Sequence, residues 1–161
     1  MNIFGAQDIL DFAVRIEENG ETFYRRVARA IDDRDAQQLF NDLANEEVQH
    51  KKVFQELSST ITRIELPESY PGEFLEYLYN YIDGKVVFTE SATHEIAPER
   101  LNPASAIDFA IQKEYDSILY YQEIKELVAE NERNLIDRII QEERKHVAHL
   151  SELKKQVRKN N

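Results

Sequence analysis

The chain has 161 residues, a formal net charge of −11 at neutral pH and no cysteine. An acidic surface repels nucleic-acid phosphates and anionic membrane faces, and the missing thiols exclude disulfides, thiolate metal sites, iron–sulfur clusters and cysteine nucleophiles from this chain. Hydrophobic residues make up 42% and charged residues 32%, and only 4 Gly and 4 Pro are available for turns, so a single domain (1–161) of few, long elements around one core is expected.

The opening "MNIFGAQDILDF" carries acids early and no basic segment, so it does not read as a secretory signal. No apolar run reaches the roughly 20 residues of a transmembrane helix. The expected compartment is the cytoplasm. From Asp8, whose side chain suits an N-cap, Phe12, Ala13, Ile16, Gly20, Phe23, Tyr24, Val27 and Ile31 recur at helical spacing until "DDRD". A second helix carries Ala36, Leu39, Phe40, Leu43, Glu47, His50, Phe54 and Leu57 on one stripe. These two form a first helical hairpin over about 8–57.

The segment from about 58 to 101 differs. It holds Pro67, Pro71 and Pro98, the β-branched run "STITRI" and one short amphipathic piece, "EFLEYLYNYI", expected to be helical. So long a connection between compact elements should pack along the domain. Asn102 and Pro103 then read as the cap and first position of a third helix. Its stripe is Ala106, Ile107, Ala110, Glu114, Ser117, Ile118, Tyr121, Ile124, Leu127 and Val128. After a turn at "AENERN", a fourth helix places Leu135, Ile136, Ile139, Ile140, Glu143, His146, Val147, Leu150 and Leu153 on its apolar stripe. The second hairpin thus spans about 103–157. Its basic end suits the negative pole of the helix dipole. The predicted fold class is all-α: a four-helix bundle with one long crossover between helices 2 and 3, the ferritin-like topology.

The two hairpins repeat one chemical pattern. Helix 1 has Glu17 and, seven residues on, Tyr24; helix 3 has Glu114 and Tyr121 at the same spacing. Helix 2 has Glu47 and His50 in "EEVQH"; helix 4 has Glu143 and His146 in "EERKH". Glu17 and Glu114 are 97 residues apart, Glu47 and Glu143 96, as a duplicated hairpin would give. Glu and His at i and i+3 share one helix face. Four carboxylates and two imidazoles facing one another are the donor set of a carboxylate-bridged dimetal site in a bundle core. Two divalent cations would balance the four carboxylates, which otherwise would be costly to bury ionised.

Tyr24 and Tyr121 lie about 10 Å along the axis from the Glu of their own helix. Each is either a plain core aromatic or a phenol reaching across to orient a carboxylate of a neighbouring helix. Glu18, Glu46 and Glu142 flank the proposed ligands as solvated residues or hydrogen-bond partners, with Glu46 turned outward. His149 reads as a flanking polar residue and His94 as a surface residue. Gly20 and Ser117 allow close helix packing or, alternatively, a small opening to the metals.

The stretches "AVRIEENGETFYRRVA" and "LANEEVQHKKVFQEL", echoed by "AIQKEYDSILYYQEI" and "IIQEERKHVAHLSEL", resemble the ferritin-like diiron domain of the rubrerythrin family across all four long helices. The resemblance implies that Glu17, Glu47, His50, Glu114, Glu143 and His146 ligate two iron ions, with Glu47 and Glu143 bridging. Carboxylate and imidazole donors also accept manganese or zinc. It implies a redox enzyme, a peroxidase or oxidase that reduces hydrogen peroxide or dioxygen with an external electron donor. Two features depart from the family. The extra carboxylate one turn beyond the third-helix Glu is replaced by Ser117, with Gly20 as its counterpart in helix 1. There is also no cysteine with which to build a rubredoxin module. The alternative function is iron handling, by ferroxidase action and sequestration or by metal binding without turnover. A third is a bundle with a mainly structural site and a partner-binding role for "YLYNYI". A homodimer is the expected assembly, and the long crossover would permit helix exchange between subunits.

Overall fold

The computed structural model describes residues 6–60, 73, 76–77 and 103–159. Among these residues four long helices run α1 (Ala6–Ala30), α2 (Arg34–Thr60), α3 (Pro103–Lys125) and α4 (Glu130–Lys159). None of them is long and apolar enough to cross a membrane. The helix ends follow local chemistry. Asp33 caps α2: its Oδ1 accepts from the amide of Ala36 at 2.8 Å, and its carbonyl accepts the first helical bond from Gln37 at 2.9 Å. Arg29 lies in the last turn of α1, and Arg158 and Lys159 in that of α4, where cations face the unsatisfied carbonyls.

Several boundaries differ from the pattern of apolar residues. Helix α1 starts at Ala6, so Asp8 lies inside its first turn and is not the cap. Helix α2 continues through Ser58 and Ser59 to Thr60, each of whose hydroxyls is satisfied: Ser58 bonds to Asp11 and the other two to carbonyls of their own helix. The turn between α3 and α4 is at 126–129, ahead of most of "AENERN". The carbonyl of Ala129 accepts from the amides of Glu132 (2.8 Å) and Arg133 (3.2 Å), which starts α4 there. Glu130 and Glu132 then stand in its first turn, on the favourable side of the helix dipole. Leu127 and Val128 are buried as expected, but in the turn. Of the 58–101 crossover, Glu73, Glu76 and Tyr77 are helical; the remainder beyond Thr60, with His94, lies outside the described residues, as does Asn102.

The hairpins α1–α2 and α3–α4 pack so that α1 and α3 run antiparallel. Tyr120, near the end of α3, donates its hydroxyl to the carbonyl of Ile9, near the start of α1, at 2.7 Å. Ser58, near the end of α2, bonds to Asp11 at 3.1 Å. The end of α2 and the start of α3 therefore lie at opposite ends of the bundle. Side-chain pairs Arg25–Asn45 (3.2 Å) and Lys51–Glu21 (3.6 Å) tie α1 to α2, and Lys125–Asp137 (3.0 Å) and Lys154–Asp108 tie α3 to α4.

The core is rich in aromatics stacked along the bundle axis. Helix α2 presents Phe40, then Glu47 and His50, then Phe54, all buried. Phe40 packs on Tyr24 with ring centroids 5.9 Å apart, and Phe54 packs on Tyr121 at 4.8 Å. These two pairs lie along the axis on either side of the buried polar residues. Each large side chain contributes roughly 1.5–3 kcal/mol of burial, which offsets the cost of ionisable groups at the centre.

Candidate metal centre

Helical periodicity alone places Glu17 on α1, Glu47 and His50 on α2, Glu114 on α3, and Glu143 and His146 on α4 toward the bundle axis. The structure brings all six together, each no more than 4% exposed. Their donor atoms form two overlapping sets, Glu17–Glu47–His50–Glu143 and Glu47–Glu114–Glu143–His146, and within each set the atoms lie within 4.8 Å of one another. Glu47 and Glu143 belong to both sets. The imidazoles of His50 and His146 face each other across the centre, with centroids 5.7 Å apart and planes 22° from parallel.

Each imidazole turns Nδ1 inward. Nδ1 of His50 lies 3.0 Å from Glu143 Oε1 and 3.6 Å from Glu17 Oε2; Nδ1 of His146 lies 2.9 Å from Glu143 Oε2 and 3.3 Å from Glu114 Oε1. Both Nδ1 atoms, both oxygens of Glu143 and Oε2 of Glu17 are buried without a hydrogen-bond partner. Buried polar atoms are nearly always satisfied. Five orphaned donor atoms converging on one spot, all of them metal-ligating types, fit a pair of cations.

One oxygen each of Glu17 and Glu114 is held by a phenol. Tyr24 donates its hydroxyl to Oε1 of Glu114, and Tyr121 donates to Oε1 of Glu17. Each tyrosine thus reaches across to the Glu of the other hairpin. Both phenols are pushed well up by burial and then by the facing carboxylates, Glu114 for Tyr24 and Glu17 for Tyr121. They stay protonated at neutral pH and act as donors.

Charges inside the site are strongly coupled. Burial, reinforced by the charge of Glu143, pushes the Glu114 carboxyl up to about 8. Burial, with Glu143 and Glu17, also raises Glu47. Burial works against the charge of Glu143 too, but the two imidazoles beside it win and hold it well below the ordinary carboxylate range. Conversely, burial disfavours charged imidazoles, yet Glu143 and its neighbours raise both His50 and His146. Without metal, burial and mutual charge thus favour the protonated form of Glu47 and Glu114 and the charged form of Glu143 and of the two imidazoles beside it.

Two residues were placed less fully by the sequence. Glu46 is half exposed, as an outward residue should be, but its Oε2 lies 2.7 Å from Nε2 of His146. Glu142 does the same for His50, at 2.8 Å. These bonds cross from α2 to α4, which no single-helix pattern reveals; the doubled Glu of "EEVQH" and "EERKH" was the available signal. The His146 bond in turn lowers the Glu46 carboxyl. His149 is exposed, and Glu18 is exposed near Lys51 (3.9 Å). Ser117 is buried with its hydroxyl bonded to the carbonyl of Lys113 at 3.0 Å, and Gly20 is buried, so neither supplies a further donor. The neighbouring Asp116, unremarked in the sequence, binds Gln112 (3.0 Å) and Lys113 (3.1 Å).

The rubrerythrin family model matches residues 8–154. The chain belongs to the rubrerythrin family. A solved structure of a candidate ferritin-like diiron-carboxylate protein from Thermotoga maritima superposes with a TM-score of 0.71 at 26% sequence identity, covering 96% of this chain and 97% of that one. No curated protein sequence matches. The bundle is thus a ferritin-like fold, and this rubrerythrin-family chain carries a buried Glu/His cluster suited to metal.

Proposed function

We propose that this rubrerythrin-family chain holds two iron ions and reduces hydrogen peroxide or dioxygen with electrons from an external donor. The observation that carries the proposal is the set of orphaned, buried donor atoms shared between two sites through Glu47 and Glu143. Glu17 and His50 would hold one ion and Glu114 and His146 the other, with Glu47 and Glu143, which belong to both donor sets, shared between them. Support for iron in place of zinc or manganese comes from family membership and the diiron-carboxylate description of the Thermotoga maritima protein. Two bound ferrous ions would supply the two electrons that, with two protons, convert hydrogen peroxide to two waters.

The protein's part is to hold geometry and exclude water. Tyr121 and Tyr24 each hold Oε1 of the facing carboxylate, Glu17 and Glu114, which would fix how these carboxylates are presented to a metal ion. Glu47 and Glu143 come from separate helices and belong to both donor sets, so each would be available to both ions. The aromatic pairs Phe40–Tyr24 and Phe54–Tyr121 keep the surroundings apolar.

The test is turnover. Protein loaded with two ferrous ions per chain under anaerobic conditions should be oxidised by one equivalent of peroxide and be re-reducible over several cycles. Protein that instead accumulates many ferric ions per chain would be an iron-handling protein. Protein isolated with one zinc or no metal per chain would remove the basis of the proposal.

A further inference from the structure

We propose that Glu46 and Glu142 are positioning residues that act crosswise, Glu46 on the metal ion held by His146 and Glu142 on the ion held by His50. The inference rests on the reading that six residues hold two ions. It adds two residues outside that set and assigns each to the site of the opposite helix.

An imidazole can ligate through one nitrogen only if the proton sits on the other, and the partner of that second nitrogen selects the tautomer and sets the ring plane. Here the partners are unambiguous. Glu46 Oε2 is 2.7 Å from Nε2 of His146, and Glu142 Oε2 is 2.8 Å from Nε2 of His50. Each carboxylate accepts the Nε2–H, which would leave Nδ1, turned toward the inner carboxylates, as the nitrogen that binds a metal ion once its own proton is lost. Both rings are otherwise fully enclosed, at 2% and 0% exposure. Neither has another hydrogen bond to hold its plane, because both Nδ1 atoms are without a partner. The bond from a half-exposed carboxylate is thus the hydrogen bond that orients each ring, beside the ion pairs of Nδ1 with Glu143.

The crossing makes the inference specific. Glu46 precedes Glu47, a ligand shared by both sites. If Glu46 acted only through its own helix, changing it would disturb both ions alike. Acting through His146, it should disturb one. The same holds for Glu142, with the sites exchanged.

The experiment uses the full chain, stripped of metal and titrated anaerobically with cobaltous ion, with absorbance and calorimetry reporting each binding step. Imidazole nitrogen shifts of the zinc-loaded, 15N-labelled protein report ring protonation. Wild type should bind two ions. In Glu46→Ala one of the two steps should weaken about 10–100-fold, with the ring signals of His146 displaced and those of His50 kept. Glu142→Ala should show the mirror result. Glu46→Gln, which keeps an acceptor oxygen in place, should restore most of the affinity and the His146 signals. It also provides the comparison if the Ala variant is poorly folded. Equal weakening of both ions in Glu46→Ala, or unchanged ring signals in either Ala variant, would overturn the crosswise assignment. A wild-type protein that fails to bind two ions would overturn the underlying site instead, and is recognised in the first titration.

Discussion

Removing the metal should make this protein less stable as the pH rises from 5 to 8. In the metal-free fold, burial and the charge of Glu143 hold the Glu114 carboxyl near 8, against an ordinary 4.5. Between those values the folded chain binds a proton that the unfolded chain has lost. The free energy of unfolding must then fall as pH rises, since the slope follows the difference in protons bound. Holding one extra proton costs about 1.36 kcal/mol for each pH unit climbed, so Glu114 alone corresponds to a loss on the order of 4 kcal/mol across that window. Glu47 is raised as well and adds in the same direction. His50 and His146, also raised, contribute stability that is complete below about 6.5 and fades as pH climbs toward their folded values. Glu143 has the opposite sign, but it is held well below its ordinary value, so its contribution is lost only in acid, below the window. The assay is urea denaturation of chelator-treated protein at pH 5, 6, 7 and 8, repeated with two equivalents of divalent metal. The stripped protein should show a falling midpoint. The loaded protein should show a rising difference from it, because ligands must shed protons to bind metal. A stripped protein whose stability is flat or rises from pH 5 to 8 would refute the charge assignment.

Glu47→Ala should remove most of both ions, because Glu47 belongs to both donor sets, whereas His50→Ala should remove chiefly one; elemental analysis of each purified variant decides. Tyr24→Phe keeps the ring against Phe40 but leaves Oε1 of Glu114 without its donor. It should cost roughly 1–3 kcal/mol in chemical denaturation, with metal affinity at the Glu114 site reduced and the circular dichroism spectrum unchanged. Asp33→Ala removes the α2 cap far from the site. It should lower stability by about 0.5–2 kcal/mol and leave metal content at the wild-type value.

The positions of the four helices and of the inward-facing Glu and His were legible because each is a property of one helix. Apolar spacing selects the buried face, and Glu17, Glu47, His50, Glu114, Glu143 and His146 each fall on that face. The repeat of the two halves then indicated that the faces meet. What stayed hidden depends on the register between helices. Glu46 lies on the exposed side of α2, and only the approach of α4 brings His146 within reach. Tyr120 lies at the edge of the α3 stripe, three residues after Ser117 and four before Ile124, and only the approach of α1 gives its buried hydroxyl the carbonyl of Ile9. Asp116 is buried by polar partners on its own helix, Gln112 and Lys113, which apolar periodicity does not register. The α3–α4 turn was displaced for a related reason. Leu127 and Val128 continue the apolar stripe past the true helix end, while the polar "ENERN" looks like a loop although its acids suit a helix start.

The two halves of the centre are near copies, and the copy explains why each tyrosine serves the opposite hairpin. With α1 and α3 antiparallel, a residue two turns beyond Glu17 stands beside Glu114, and one two turns beyond Glu114 stands beside Glu17. The same geometry, applied to α2 and α4, places the residue before each shared Glu beside the opposite His. Both kinds of support for the donor cluster, phenol to carboxylate and carboxylate to imidazole, therefore pass between the hairpins. Supports of this kind hold only while the hairpins are docked. The aromatic contacts that dock them include Phe54 of α2 on Tyr121 of α3, at 4.8 Å, and Phe23 of α1 on Phe109 of α3, at 5.2 Å, so a ring that docks the hairpins also carries a phenol. Packing and ligand orientation are consequently coupled. A core substitution that shifts one hairpin along the other by a fraction of a helical turn would misalign four hydrogen bonds together, whereas loss of a single hydroxyl would release one carboxylate and leave the docking intact.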